Sequence, residues 1–414
     1  MLQNNTSLRL KYHSRFEAAL IFLMTTFLVV FPKGGIKIGG VPITWGYALL
    51  LGVGAFLVLV NLSEGINVSR KRWLVIFAAV PFQVYLIMLI AANGFLSIGF
   101  TISMIINVIV LPWLLVIMYG NYFDRFNPRF MLNLIRHGIL IVAVYGIFLF
   151  FYRALAGSWI EIPFITVNYG DLGMLDAKYN MRFGFLPKLI STYNNGNIFG
   201  VCMIMLLPLF DQLEKSKWKS AVVKLALVLS LSRTVWIGLF VYEFIIRLYL
   251  DRITPRMIAR YMTLLIALAG VIFFIAFVVL GAGTSFLFDT NLGGRAEQVE
   301  ALENVTLLSN IPFISIAEIV YLSILERMGL VGLLLFLIMI GVPIVLTFYT
   351  RGALRKCFLS GALLYLLVAF SDGAIMFIPV MAFFWFLISM MISSNEYFDR
   401  PEIPDVSKDT EVTA

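Results

Sequence analysis

Long apolar runs of about 15 to 25 residues alternate along this chain with short polar connectors, most of which are basic. A helix satisfies its own backbone hydrogen bonds in lipid, and about 20 apolar residues cross the hydrocarbon core. The pattern therefore predicts an all-α polytopic membrane protein with about twelve transmembrane helices. The predicted spans are 16–32, 41–60, 73–92, 99–119, 138–155, 197–213, 218–232, 234–250, 261–280, 328–349, 357–372 and 374–393.

Basic residues fill every second connector, and such residues are retained on the cytoplasmic side. This rule predicts that both termini are cytoplasmic. It also favours a tight hairpin at residues 230–233 over one long helix across 218–250, because one helix would place two later basic clusters outside. The clusters include Arg15, Arg70 to Arg72, Arg125 to Arg136, Lys215 to Lys219, Arg252 to Arg260 and Arg351 to Lys356.

Composition agrees with this prediction: 61% of residues are hydrophobic and 13% are charged, and the mean hydropathy is +0.95. The net charge of +8 is spread over the connectors, which is not the single basic stripe of a nucleic-acid interface. No metal-ligand spacing occurs, so no metal or cofactor is expected. The predicted organisation is a cytoplasmic segment at 1–15, one transmembrane domain at 16–393 and an acidic cytoplasmic tail at 394–414.

Two connectors, 156–196 and 281–317, are much longer than the rest, and both are predicted on the outer side, away from the basic clusters. Long loops commonly carry function when they are not disordered. Both mix aromatic, acidic and amide side chains, which suits the apolar faces and hydroxyl edges of sugars. The alternative is that they only cap the bundle.

Three arginines, Arg182, Arg233 and Arg295, fall at or near the outer interface, where basic residues are depleted. A charge at that level needs a partner, and the planar guanidinium binds phosphate through two hydrogen bonds. The sequence favours an anion-binding group over simple pairing with acidic residues. The acidic candidates for pairing are Asp171, Asp176, Glu297 and Glu300.

Four short motifs then resemble the O-antigen polymerase and ligase superfamily in kind and in order. They are Arg182-Phe-Gly-Phe-Leu-Pro with Ser191-Thr-Tyr-Asn-Asn-Gly-Asn197, Leu231-Ser-Arg-Thr-Val-Trp-Ile-Gly238, Gly294-Arg295, and Glu326-Arg-Met-Gly-Leu-Val-Gly332. Each motif is weak alone, and together they cover most of residues 180–340.

The resemblance implies a GT-C-like membrane glycosyltransferase that uses undecaprenyl-diphosphate-linked glycans as donor and acceptor at the periplasmic face of the bacterial inner membrane. It implies neither a metal nor a nucleotide sugar, and it leaves a chain-length regulator as an open partner. Ligases of the superfamily usually carry a histidine in the second long loop, where this chain has none and has Ala317-Glu318 before the last motif. We therefore expect the Wzy-type polymerase, with the ligase as an alternative.

The chemistry assigns roles to the candidate residues. The three arginines would stabilise the leaving diphosphate, and Glu318 would accept the proton of the attacking hydroxyl. Glu318 also has a purely structural alternative as a favourable charge near a helix N-terminus. The residues predicted to bind substrate are Asp171, Tyr193, Asn194, Asn195, Asn197 and Arg327.

A transporter or flippase is the alternative from another class, because about twelve spans also suit that function. Such proteins show internal repeats and ionisable residues in interrupted helices. We find no repeat, and the ionisable residues predicted within spans, Lys224, Glu243 and Asp372, are scattered along the sequence. A structural subunit of an export complex is a third possibility.

Overall fold

The computed structural model describes residues 15–38, 41–64, 68–176, 180–182, 186–250, 305–350 and 352–400. The described chain is a multi-pass bundle of helices with two short antiparallel ribbons. The predicted span 261–280, Arg295 and most of the second long loop lie outside the described residues. A helix is present at each of the other predicted spans.

The helices and strands have the following bounds. The helices are α1 (15–30), α2 (Trp45–Glu64), α3 (Arg70–Asn93), α4 (Ile98–Arg125), α5 (Arg129–Ala156), α6 (Gly196–Leu213), α7 (Lys217–Leu229), α8 (233–250), α9 (Val320–Thr347), α10 (Ala353–Asp372) and α11 (Val380–Met391). The strands are β1 (Gly35–Ile38) paired with β2 (Val41–Thr44), and β3 (Met181–Arg182) paired with β4 (Leu186–Pro187).

Six of the described helices are long and apolar enough to cross a membrane: α3, α4, α5, α6, α9 and α10. Among them, α6 and α10 have the lowest mean hydropathies, 1.5 and 1.6, against 2.8 for α9. Both are also the most buried of the six, and they pack closely at Gly361, where a Cβ atom would strike the carbonyl oxygen of Met205. The less apolar helices are therefore the interior ones, where polar side chains find protein partners instead of lipid.

One end of the bundle collects most of the irregular structure, and we call it the loop-bearing end. It consists of segments 31–38, 41–44, 94–97, 157–176, 180–182, 186–195, 230–232, 305–319 and 373–379. Backbone contacts join these segments: Gly35 bridges to Asn168, Phe313 N donates to Gly94 O at 3.0 Å, and Leu189 N donates to Leu229 O at 2.9 Å. The first long loop is thus folded onto its neighbours.

The opposite end carries the short connectors, and its buried arginine Arg72 is paired with an acidic residue. Arg72 is fully buried, although its position in a basic connector suggests exposure. Its Nη2 and Nε donate to both carboxylate oxygens of Asp124 at 2.6 and 3.1 Å, and its Nη1 donates to Val116 O at 3.0 Å. Burial of this charge is tolerated because every nitrogen of the guanidinium is bonded.

The interruption between α7 and α8 lies where the sequence predicts it. The chain leaves α7 after Leu229, Leu231 adopts a left-handed φ of 51°, and α8 begins at residue 233. The indole of Trp236 then donates to Val228 O across the turn at 3.0 Å. This arrangement is the tight hairpin and not the single long helix.

A second interruption lies inside α9 at Gly329, where φ is 73° and ψ is −179°. The amides of Leu330 and Val331 there donate to the carbonyls of Thr306 and Leu307 at 3.0 and 3.2 Å. A side chain at residue 329 would strike those carbonyls. The glycine therefore lets the backbone of the preceding loop dock against the break, a feature that hydropathy does not predict.

Candidate functional site

Two of the four motifs meet at the loop-bearing end. The strand β3 carries Arg182, whose Nε and Nη2 both donate to the carbonyl oxygen of Leu231 at 3.3 and 3.2 Å. The left-handed φ of Leu231 belongs to the turn between α7 and α8. The guanidinium of Arg182 is therefore held at the turn that carries Arg233.

Arg233 is the first residue of α8, and its side chain is half-buried. Next to it, the hydroxyl of Thr234 donates to Ser371 Oγ at 2.8 Å, which connects this turn to the last turn of α10. Arg182 and Arg233 thus flank one short turn, as an anion site built from both motifs requires. Arg295, the third predicted arginine, lies outside the described residues.

The asparagines at the start of α6 organise the neighbouring part of the site. Asn195 is the N-cap of α6, because its Oδ1 accepts from the amides of Asn197 and Ile198 at 2.8 and 3.2 Å. Asn197 then extends its side chain to α10, where its Nδ2 donates to Asp372 Oδ2 at 2.5 Å. Asn195 therefore fixes the helix start, and Asn197 carries the polar connection.

Lys188 completes a chain of three polar side chains that the sequence alone does not assemble. Its ammonium donates to Asn197 Oδ1 at 3.4 Å, so the amide bridges a cation and a carboxylate. Lys188 and Asp372 are only 5% and 3% exposed. Lys188 was missed in the sequence, although a lysine in a predicted outer loop is the same signal that singled out Arg182.

Glu318 lies beside this chain. Its carbonyl oxygen accepts from the amide of Gly373 at 3.0 Å, which places its backbone next to that of Asp372. The side chain of Glu318 is exposed, two residues before the start of α9. Glu318 is thus a solvent-facing carboxylate and Asp372 a buried one at the same end of the bundle.

Tyr193 and Asn194 contribute to the packing of the loop. Tyr193 is fully buried, and its hydroxyl donates to Val29 O at 2.9 Å. Asn194 adopts a left-handed φ of 59°, and its carbonyl accepts from Asn180 Nδ2 at 2.8 Å. The Oδ1 atom of Asn194 is buried without a hydrogen-bond partner among the described residues, which leaves one acceptor for a ligand or water.

Two other predicted residues lie in separate contacts. Asp171 pairs with Lys37 at 2.8 Å, and both side chains are about one-third exposed. Arg327 pairs with its neighbour Glu326 at 3.0 Å. Within the described part of the chain, no contact joins Asp171 or Arg327 to the group formed by Arg182, Lys188, Asn197 and Asp372.

The first long loop also presents an aromatic surface. Phe164 and Tyr169 stack with ring centroids 4.9 Å apart and an interplanar angle of 7°, and both remain exposed. The nearby turn after α1 carries Lys33, where burial lowers the pKa of the ammonium to about 8 while Cys202 and Asp171 oppose the shift. The loop-bearing end therefore combines stacking surfaces with cations.

The described residues contain no group of three or more His, Cys, Asp or Glu side chains that could hold a metal ion. This end of the bundle instead carries three cations, Arg182, Lys188 and Arg233, and two carboxylates, Asp372 and Glu318. This balance favours an anionic ligand.

The chain is therefore a multi-pass helical membrane protein with a cationic polar site at one end of its bundle. No model of a known protein family matches it, and no curated protein is significantly similar to it.

Proposed function

We propose that this protein polymerises undecaprenyl-diphosphate-linked oligosaccharide repeat units into O-antigen or a similar surface polysaccharide. The observation that carries the proposal is the contact of Arg182 with the Leu231 carbonyl, because it brings two separate motifs to one anion-binding end. The site would face the periplasm in a bundle of about twelve spans with both termini in the cytoplasm. A chain-length regulator remains a possible partner.

The reaction joins two lipid-linked glycans. The oxygen of an acceptor hydroxyl forms a bond to the anomeric carbon of the donor glycan, and the bond from that carbon to the diphosphate oxygen breaks. The lipid diphosphate leaves with the electron pair, and the hydroxyl proton passes to a base. The protein must therefore stabilise a dianionic leaving group and accept one proton.

Arg182 and Arg233 supply the stabilisation in this proposal, together with Arg295. Preorganised donors that face developing negative charge are often the largest contribution to catalysis. The guanidinium of Arg182 is already oriented by Leu231 O, so little reorganisation is needed when a diphosphate arrives. Lys188, held by Asn197, adds positive potential to the same end.

Glu318 is the proposed proton acceptor. Its side chain is exposed, so an acceptor sugar can reach it, whereas Asp372 is buried and bonded to Asn197. The stacked pair of Phe164 and Tyr169 provides an apolar surface against which a sugar ring can pack.

A transporter remains the second candidate because of one observation. Lys224 forms ion pairs with Asp211 Oδ2 at 2.8 Å and Glu243 Oε1 at 2.6 Å, so two of the ionisable residues that are scattered in the sequence meet inside the bundle. Arg247 pairs with Glu243 at 2.8 Å. The two cations and two carboxylates balance, which also fits a structural network.

Two experiments test the proposal. Deletion of the gene in its host should leave a single repeat unit on the lipid A core if the protein is the polymerase. If the protein is a ligase or a flippase, its deletion should leave no repeat unit on the lipid A core. In the second experiment, purified protein in nanodiscs receives only polyprenyl-diphosphate-linked repeat units, and a ladder of longer lipid-linked glycans is expected. Absence of the ladder from folded protein, with full core glycosylation when lipid A core is added, would identify a ligase.

A further inference from the structure

The end opposite the loop-bearing end contains a polar crevice of about 590 Å³ that the proposed reaction does not use. It lies between the starts of α3 and α10 and the ends of α9 and α11, and the segment after α11 forms one wall. Among the residues that the structure describes, the crevice is lined by three basic residues and one acidic residue, together with the hydroxyl groups of serines and threonines. Its composition therefore differs from the apolar surface of the surrounding helices.

The single acidic residue of the lining is already neutralised. Asp399 Oδ1 and Oδ2 accept from Arg355 Nε and Nη2 at 2.6 and 2.9 Å, a two-point pair. Arg355 Nη1 also donates to Met391 O at 2.9 Å. The ion pair of Arg355 and Asp399 thus contributes no net charge to the crevice.

The other two basic residues, Arg70 and Lys71, are exposed and leave the crevice with two positive charges. In the described part of the chain, neither forms an ion pair with an acidic side chain. The adjacent hydroxyl of Ser69 is buried and has no hydrogen-bond partner there. Two cations and one unsatisfied hydroxyl together match a phosphate group, which accepts several hydrogen bonds and carries negative charge.

The surroundings of the crevice indicate where that phosphate comes from. Trp73 is 37% exposed and stacks on Phe77, which is 63% exposed, one and two turns along α3 from Arg70. Tyr349 lines the crevice and is almost fully exposed. Tryptophan and tyrosine favour the boundary between head groups and hydrocarbon, so the crevice lies at the level of lipid head groups.

We propose that this crevice binds the phosphate head group of an anionic phospholipid from the leaflet at this end of the bundle. Arg70 and Lys71 contact the phosphate, and Ser69 donates its hydroxyl. The acyl chains run along the exposed apolar face of α3, which includes Leu74 and Phe77. The same chemistry also suits free phosphate, and the experiment below separates the two sources. The proposal does not depend on the glycosyltransferase reaction.

Thermal unfolding of the purified, delipidated full-length protein in a neutral detergent provides the test. Phosphatidylglycerol should raise the melting temperature in a saturable way, and phosphatidylcholine should not. Each basic residue near an anionic membrane surface contributes roughly fivefold in affinity. The double variant Arg70→Gln with Lys71→Gln should therefore bind phosphatidylglycerol about 30-fold more weakly.

A matched control removes the same charge elsewhere. Arg15 and Lys217 are exposed basic residues at the same end and do not line the crevice. The double variant Arg15→Gln with Lys217→Gln should retain the response to phosphatidylglycerol. If the control variant loses as much of the response to phosphatidylglycerol, the lipid is attracted by the overall positive charge of this end and not by a specific site. That result would overturn the proposal.

Three other outcomes would also overturn it. Equal responses to phosphatidylglycerol and phosphatidylcholine would show that the head-group charge is not recognised. Saturation by inorganic phosphate alone at millimolar concentration would assign the crevice to a soluble anion. An unchanged phosphatidylglycerol affinity in the folded Arg70 and Lys71 double variant would place any lipid site elsewhere.

Discussion

The side-chain amide of Asn197 donates to Asp372 Oδ2 at 2.5 Å across 175 positions of sequence. This bond connects the first turn of α6 to the last residue of α10. A carboxylate at a helix C-terminus is disfavoured by the helix dipole. The contact with Asn197, which also accepts from Lys188, offsets that cost and joins two interior helices to the first long loop.

A double-mutant cycle should measure this bond. The variants Asn197→Ala and Asp372→Ala should each destabilise the bundle, and their effects should be coupled by about 0.5 to 3 kcal/mol, as is usual for residues in one polar network. Reversible unfolding in mixed detergent micelles gives the free energies. A control cycle uses Asn93→Ala, because Asn93 donates to Ser309 O at 2.9 Å instead, and its effect should add to that of Asp372→Ala. If the effects of Asn197→Ala and Asp372→Ala are also additive, the hydrogen bond between these two residues contributes no coupling energy, which would contradict the prediction.

Arg182→Lys should lose at least about tenfold in polymer formation while the protein still inserts. Lysine keeps the charge but cannot present two parallel donors to a diphosphate. The matched control is Arg153→Lys, because Arg153 at the same end pairs with Asp176 at 2.8 Å and has no assigned role. Glycan ladders from both variants in nanodiscs provide the measurement. Equal ladders from the Arg182 variant and the native protein would remove Arg182 from the reaction.

Glu318→Gln should bind the lipid-linked donor normally and turn over about 100-fold to 10,000-fold more slowly, the usual range for loss of a general base. The amide keeps the size of the side chain but cannot take the proton. Glu161→Gln, in the first long loop, is the control and should keep full activity. If the Glu318 variant polymerises at a near-normal rate, its carboxylate acts only as a charge near the start of α9.

The response of the Lys33→Met variant to pH should reveal the buried ammonium. Burial lowers the pKa of Lys33 from 10.5 to about 8 in the folded protein, so the unfolded state binds the proton more strongly between these values. Protonated Lys33 opposes folding most below pH 8, and this penalty disappears as the pH approaches 10.5. Lys33→Met should raise the melting temperature at pH 7, and the gain should shrink toward pH 10.5. A constant gain would show that the ammonium is not perturbed.

Single cysteines should report the orientation of the bundle. Both native cysteines, Cys202 and Cys357, are buried and form no disulfide, so introduced cysteines should dominate labelling. In intact spheroplasts, Asp171→Cys should react with a membrane-impermeant thiol reagent, whereas Lys71→Cys and Lys217→Cys should react only after lysis. Labelling of the last two from outside would reverse the orientation and remove the site from the periplasm.

Hydropathy predicts where the helices lie because apolar runs and turn residues are local properties. The break at residues 230–232 is also predicted from the sequence, because a single helix there would place the later basic clusters on the wrong side. Hydropathy does not show which charges pair, so Arg72 resembles a solvated connector residue in the sequence but is buried against Asp124. The ribbon of β1 and β2 is also absent from the prediction, because residues 41–44 continue an apolar run.

For the site, the motifs single out Arg182 and Arg233 as members of one anion-binding group, but they do not show how deeply each residue is buried or that Arg182 contacts the turn before Arg233. Tyr193 was expected to bind substrate, and the structure places its hydroxyl on Val29 O inside the bundle. Asp372 stands out in the sequence only as an ionisable residue near a span end. Its connection to Lys188 depends on the packing of α6 against α10, which no local pattern encodes.

The break at Gly329 makes the segment before α9 a fixed platform. The amides of Leu330 and Val331 depend on the carbonyls of Thr306 and Leu307, and Phe313 is bonded to Gly94 a few residues later. Lifting the segment would break these hydrogen bonds and leave the two amides without their partners. If the protein is the polymerase proposed above, the growing glycan would pass over a fixed surface at this end, with no flap in this segment that must open for each added unit.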